Sequence, residues 1–321
     1  MRQTFFFLCF CLPLAAHAGD GVVEDLGRMQ QSLQTLNYYG TLVFTQDGEV
    51  QSMRLAHQRM PDGEHERIVN LNGSPREVIR QGDRVTCYLP DSRSVTVSQR
   101  HNGKSWLSKL VANDFALLQD YYHFEREGED RIAGYTAEQI LIRPADGFRY
   151  GYRVWSDKDS DLLLKSQLLS ENSEVLEQMM FADLTIVDRV PPKLLQPSTD
   201  SADFTWYEDD IPGFEEDADR SGWRIGHLPP GFRITSYTRH PLPDSEQLAD
   251  HFVVSDGLAS VSVYMQQLAE GQHPFLGPYK RGAVNVFSTG IAGHQVVVVG
   301  EVPAATVKLI ATSVARVGGD D

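Results

Sequence analysis

Between Tyr39 and Val187 the chain is a run of short segments that alternate apolar and polar residues, separated by Asp-Gly and Asn-Gly turns, with almost no helical periodicity between them. Two-residue turns of that kind join antiparallel neighbours, because their backbone twist matches that of the strands they connect. The pattern predicts one large, curved antiparallel sheet. Thr41 to Thr45 puts Leu42 and Phe44 on one face, Asp47-Gly48 turns the chain, and Met53, Leu55 and His57 share a face on the return. The same alternation continues through Ile68 to Leu71, Glu77 to Arg80, Val85 to Leu89 and Val95 to Val97. It resumes at Tyr122 to Arg126, Tyr135 to Arg143, Phe148 to Trp155, Leu162 to Ser170 and Val175 to Val187.

A sheet with one apolar face needs a cover. Val22, Leu26, Met29, Leu33 and Leu36 recur at helical spacing and predict an α-helix that supplies it. Trp106, Leu107, Leu110, Val111, Leu117 and Leu118 predict a second helix, bent around Asn113-Asp114. The expected architecture is α+β: an unclosed antiparallel barrel over residues 19–190 with helices on its concave side. Such half-barrels can leave apolar space between sheet and helices. Leu42, Phe44, Met53, Leu55, Ile68 and Val78 are the candidate pocket residues, although an ordinary core would show the same alternation.

The pattern breaks at residues 191–222, where Pro191-Pro192 and Pro197 accompany nine acidic residues against only Lys193 and Arg220. Self-repelling charge with scattered Pro reads as an extended linker, on which Phe204, Trp206, Tyr207 and Phe214 could still dock against a domain. Residues 223–321 then form a smaller α+β unit. Its expected strands lie near Phe252 to Ser255, Ala259 to Met265, Val284 to Ser288 and Gln295 to Val299, with a final helix from Ala304 to Val314.

At the other end, Arg2, the apolar run Thr4 to Leu14 and Ala16-His17-Ala18 have the form of an export signal cleaved near Ala18, and the run is too short to span a bilayer. The expected location of the mature chain is a compartment outside the cytoplasm. Of the cysteines, Cys9 and Cys11 fall in that segment and Cys87 lies in a strand, so no internal disulfide of the mature chain is expected. A formal charge of -15 argues against nucleic acid and against an anionic lipid surface.

No motif carries chemistry. Asp157, Asp159 and Asp161 resemble the start of a calcium loop, but Leu162 stands where the turn needs Gly and Leu168 where a carboxylate should close the site. A solvated hairpin tip accounts for them better. The histidines lack zinc spacing, His57 reads as a satisfied core or rim residue, and no nucleophile elbow, dinucleotide fingerprint or phosphate loop is present. The expectation is a binding protein with no metal and no cofactor, not an enzyme.

Several collinear segments resemble one family. Asn72-Gly-Ser-Pro-Arg-Glu-Val-Ile-Arg-Gln-Gly-Asp83, Arg149-Tyr-Gly-Tyr-Arg-Val-Trp155-Ser-Asp157, Leu176-Glu-Gln178, His227-Leu-Pro-Pro-Gly-Phe232, Ser255-Asp-Gly257 and Gly300-Glu-Val-Pro303 occur in this order in RseB/MucB proteins, periplasmic regulators of the sigma-E type envelope stress response. The resemblance implies an N-terminal domain like LolA and LppX. It implies binding to the periplasmic part of an RseA/MucA-like anti-sigma factor, protection of that factor from proteolysis, and release when lipid or lipopolysaccharide occupies the N-terminal pocket. It also implies that the smaller domain holds the partner, with Trp223, Phe232 and Tyr264 as candidate contacts, and it admits a homo-oligomer. The alternative is a periplasmic lipid or lipoprotein carrier, which the fold alone would support equally.

Overall fold

The structure is a computed structural model that describes residues 20–99, 107, 114–209, 214–215, 218, 221–241, 248–269 and 271–317. The expected export signal lies outside these residues.

The predicted first helix is α1 (Asp20–Thr35), and its stripe of Val22, Leu26, Met29 and Leu33 is buried. Strands follow at β1 (Asn37–Gln46), β2 (Glu49–Met60), β3 (Gly63–Asn70), β4 (Glu77–Gln81), β5 (Arg84–Leu89) and β6 (Ser94–Gln99). The Asp47-Gly48 turn between β1 and β2 has positive φ at both residues, 52° and 78°, the geometry a tight hairpin requires. A second meander comprises β7 (Tyr122–Ile132), β8 (Tyr135–Pro144), β9 (Gly151–Asp157), β10 (Leu163–Leu169) and β11 (Val175–Val187).

The two meanders join where β1 pairs with β11, from Asn37 opposite Val187 to Gln46 opposite Glu177, with a bulge at Thr41/Leu42. With β12 (Thr205–Asp209) they make a 12-stranded sheet in the order β12-β6-β5-β4-β3-β2-β1-β11-β10-β9-β8-β7, which does not close on itself. The unclosed antiparallel barrel expected from the turns is thus the observed fold. Its concave face packs on α1 through Leu42, Leu55, Val154 and Phe181.

Two expectations change. Residues 106–118 show no regular helix where they are described: Leu107 is buried, Ala116–Leu118 is a single tight turn, and Leu117 is exposed. The Asp114 carboxylate accepts the Ala116 N–H at 2.9 Å, a local bond that competes with helix continuation. The remainder of that predicted helix lies outside the described residues.

Nor does the segment after Val190 hang free. Ser198 N (2.9 Å), Thr199 N (2.8 Å) and Thr199 Oγ1 (2.5 Å) all donate to the Glu77 carboxylate, which also takes Arg67 Nε at 2.5 Å. Phe204 then packs on Ile79, Tyr88, Val95 and Val97, and β12 adds in parallel to β6. Up to Asp209 the acidic segment is the edge of the large sheet, because its aromatic residues have an apolar convex patch to cover.

The second unit contains β13 (Phe214–Glu215), β14 (Trp223–Ile225), β15 (Arg233–Pro241), β16 (Leu248–Ser255), β17 (Ser260–Gln267), β18 (Gly277–Arg281), β19 (Val284–Ile291), β20 (His294–Gly300), α2 (Ala304–Ser313) and β21 (Val314–Arg316). Seven of these strands form a sheet in the order β13-β15-β16-β17-β20-β19-β18, and β14 pairs with β21. Val307, Ile310 and Ala311 of α2 complete a core with Phe252, Val254, Val263, Val296 and Val298.

Candidate functional site

The two sheets meet at a densely bonded junction. Arg149, in the loop before β9, is fully buried, and its Nη1 lies 2.8 Å from Asp256 Oδ2 in the β16–β17 turn of the second unit. Its other nitrogens reach Asp146 at 3.1 and 3.2 Å and the Pro230 carbonyl. The guanidinium is faced by Tyr121, Tyr122 and Phe232, with ring centroids 5.2, 5.3 and 5.0 Å away. Asp256 is satisfied on all sides: Oδ2 also accepts Tyr122 O–H at 2.9 Å, and Oδ1 accepts the N–H groups of Leu258 (2.9 Å) and Ala259 (2.8 Å). Burying an ion pair this deeply is tolerable only when hydrogen bonds replace the lost water, and here they do. Burial raises the Tyr122 phenol well above its usual range, with the Asp256 charge adding to it, so Tyr122 remains a donor.

Further bonds tie the units along the same seam. Asn285 Nδ2 donates to the Tyr150 phenol at 2.9 Å, and Thr306 Oγ1 to the Phe148 carbonyl at 2.6 Å. Beside them opens a cleft of about 390 Å³, lined by Phe44, Tyr152 and Met179 on one side and Leu258, Val299 and Glu301 on the other. Glu177 also lines it, accepting a hydrogen bond from the Gln46 amide. Burial, then the neighbouring Glu301 and Asp47 carboxylates, push Glu177 up to about 7 against the Gln46 bond.

The six candidate pocket residues share the concave face, since cross-strand register pairs Leu42 with Met53, Leu55 with Ile68, and Ile68 with Val78. Leu42, Met53 and Leu55 are buried in the α1 cluster, Phe44 and Ile68 are partly buried against it, and Val78 is half-buried farther along. Where a hollow is expected, the described residues place side chains of α1, Leu107, Phe115 and Leu118. Phe44 alone of the six reaches the interdomain cleft. His57 is wholly buried, stacked on Tyr38 at 5.0 Å with Nδ1 2.9 Å from the Leu36 carbonyl, so it is the core residue expected, although its Nε2 has no hydrogen-bond partner.

Of the candidate partner contacts, Trp223 and Phe232 belong to the second unit's core, where Trp223 Nε1 donates to Asp250 and Phe232 covers Arg149. These two are scaffold in this conformation, not surface. Tyr264 is exposed and stacks on His251 at 4.2 Å. The aspartate tip also differs from the expected solvated hairpin: Asp157 is buried and accepts from Ser160 N and Oγ, and Asp161 pairs with Arg28 of α1 at 3.1 Å. Among the described residues no group of His, Cys, Asp and Glu could hold a metal ion. Cys87 is a half-buried free thiol with Arg76 Nε 3.3 Å from its sulfur.

Comparison with known proteins decides the family. The MucB/RseB N-terminal domain matches residues 22–199 and the MucB/RseB C-terminal domain matches residues 217–315. The chain belongs to the MucB/RseB family. The sigma-E factor regulatory protein RseB of Haemophilus influenzae is 29% identical over 91% of this chain and 90% of its own length. The sigma factor AlgU regulatory protein MucB of Pseudomonas aeruginosa is 28% identical over 98% of each. A crystal structure of MucB in complex with MucA(peri) superposes with a TM-score of 0.73 at 26% identity, covering 92% of this chain and 99% of that one. The segments that carry the MucB/RseB resemblance include Arg149, Asp256, Glu177 and Glu301, and the fold gathers all four at the domain junction.

Proposed function

We propose that this chain is a periplasmic negative regulator of a sigma-E/AlgU type sigma factor, acting by binding and not by catalysis. It holds the periplasmic part of an RseA/MucA-like anti-sigma factor and shields it from proteolysis. The observation that supports this most is the likeness over both domains to MucB captured with MucA(peri), at a TM-score of 0.73. A carrier that only ferried lipid would have no use for a second domain with its own core of Phe252, Val263 and Val298.

Lipid or lipopolysaccharide relieves the hold by entering the concave face over Leu42, Phe44, Met53, Leu55, Ile68 and Val78. Because Leu42 and Leu55 are covered by the protein's own side chains, an acyl chain has to displace them. Each CH₂ it buries returns about 0.8 kcal/mol, so a chain of ordinary length can offset that opening. Tyr264, exposed on the second domain, is the remaining candidate contact for the partner.

The test is titration of the full mature chain with the periplasmic part of its cognate anti-sigma factor, with and without lipopolysaccharide, followed by digestion of the complex with the protease that cleaves that factor first. Micromolar or tighter binding, about -8 kcal/mol, with slowed cleavage that lipopolysaccharide restores is the expected result. Lipid binding with no affinity for the anti-sigma factor leaves the carrier reading instead.

A further inference from the structure

The cover of the concave face and the interdomain lock are one connected piece of structure. Phe115 and Leu118 are buried with the concave-face cluster at 2% and 1% exposure. The Leu118 N–H bonds the Phe115 carbonyl at 3.1 Å, and the Tyr121 N–H bonds the Leu118 carbonyl at 2.9 Å, so this tight turn runs without slack into Tyr121 and Tyr122. Tyr122 O–H ends on Asp256, while Tyr121 faces both the Arg149 guanidinium and the backbone of Gly231. From the second domain, Leu258 packs against the same first-domain cluster, and a Cβ placed on Gly257 would sit 3.9 Å from Leu118 Cδ2. Asp256 therefore lies at the end of a chain of direct contacts that starts on the concave face.

We infer that Asp256 is a positioning residue: it holds the second domain in register with the first while no lipid occupies the concave face, and it lets go when Phe115 and Leu118 are displaced. The reason is geometric. Asp256 Oδ2 is shared by Arg149 and Tyr122, and its Oδ1 by the Leu258 and Ala259 backbone, so a shift of the Tyr121–Tyr122 segment takes a donor from a carboxylate with no access to water. A buried carboxylate that loses donors is destabilised steeply, which makes the junction two-state instead of gradually deformable. The second domain, which carries the exposed Tyr264, then turns or parts from the first. The inference rests on the reading that lipid occupies the concave face and lowers partner affinity.

The measurement is the ratio of dissociation constants for the cognate anti-sigma periplasmic segment with and without lipopolysaccharide, in the full mature chain and in the variants Tyr122→Phe and Asp256→Asn. Tyr122→Phe removes one donor and keeps the ion pair, so it remains informative if Asp256→Asn fails to fold. In the unaltered chain the ratio should be about 5 or more, the range of ordinary coupling between sites. In Tyr122→Phe it should fall by at least about half, and in Asp256→Asn toward about 1, by the same reasoning that coupling is a difference between states. A merely structural role would lower affinity equally with and without lipid and leave the ratio unmoved. An unchanged ratio in the variants beside a responsive unaltered chain overturns the role of Asp256 alone. No response in the unaltered chain overturns lipid sensing and this inference together.

Discussion

Arg149 and Asp256 lie 107 residues apart in sequence and 2.8 Å apart at Nη1 and Oδ2, and neither side chain is exposed to solvent. This contact fixes one domain against the other. Removing a single member leaves a buried charge without its partner, which typically costs about 3–5 kcal/mol. Arg149→Met should therefore lower the melting temperature sharply, whereas Arg143→Met, whose pair with Glu125 is exposed, should change stability by less than about 1 kcal/mol. Thermal melts of both variants by circular dichroism check the contrast, and equal effects would contradict it.

Gly231 is required by the same junction. Its φ is +80°, and a Cβ there would come within 2.6 Å of the Tyr121 ring, which is itself held over Arg149. Gly231→Ala should destabilise by more than the ~1 kcal/mol that a positive φ alone imposes on alanine, because the ring cannot move aside without uncovering the guanidinium. The comparison is Gly73→Ala, at φ +71° with open space around it, measured by denaturant titration.

Glu77 staples the segment that links the domains. Burial pushes its carboxyl up, but hydrogen bonds from Thr199, Arg67 and Ser198 outweigh that and hold it below the usual 4.5. The attachment is thus fully present above about 4.5 and is lost as pH falls through the lower folded value. Glu77→Ala should leave the buried Arg67 without its carboxylate, loosen residues 198–209 from the sheet, and destabilise by about 1–3 kcal/mol. Limited proteolysis should then cut near Ser198 at neutral pH, where the unaltered chain resists.

The strands were readable in the sequence because period-two alternation and Asp-Gly turns are local properties, and α1 because its stripe is. What escaped is non-local. The segment Thr205 to Asp209 reads as a charged tether whose aromatic residues could dock, but nothing in the sequence marks Ile79, Tyr88, Val95 and Val97 as the patch that Phe204 covers. In β15, Tyr237 is the one buried residue between Arg233 and Arg239, and a bulge between Ile234 and Ser236 interrupts the alternation, so no period marks it. Trp223 and Phe232 have the residue types of interface anchors, yet a domain this small needs them as core. Arg149 and Asp256 sit in segments that carry the family resemblance, but a pairing across 107 positions leaves no local trace.

His57 gives the first domain an acid-sensitive element. Burial, with Arg80 and Arg59 nearby, lowers it from 6.5 to about 4, against the bond to the Leu36 carbonyl. A base depressed on folding contributes stability that is complete above about 6.5 and is lost as pH falls toward about 4. His57→Phe keeps a ring against Tyr38 but leaves the Leu36 carbonyl without its donor, at a cost of about 1–3 kcal/mol at pH 8. The gap between the melting temperatures of variant and unaltered chain should narrow between pH 6.5 and 5, and a constant gap would argue that His57 does not titrate on unfolding.

Glu177 has the opposite sign and sits between the domains. Its folded value of about 7, against 4.5, means that the folded chain holds a proton there which the unfolded chain releases, so stability is fullest below 4.5 and falls as pH rises through about 7. The carboxylates facing it, Glu301 at the cleft and Asp47 in the β1–β2 turn, add repulsion once Glu177 ionises, and the Gln46 amide opposes it. Mild acidification from pH 8 to 6 should therefore tighten the junction, before the losses at His57 and Glu77 dominate at lower pH. Glu177→Gln should mimic the protonated state, raise the melting temperature at pH 8 by about 2–4 °C, and flatten the profile between pH 6 and 8. Hydrogen exchange of the Leu258 and Ala259 amides, which bond Asp256 within the β16–β17 turn that lines this cleft, reports on the second domain's side of the junction. Slower exchange at pH 8 in Glu177→Gln, after correction for the intrinsic rate, is the expected outcome, and unchanged protection would separate Glu177 from the cohesion of the two domains.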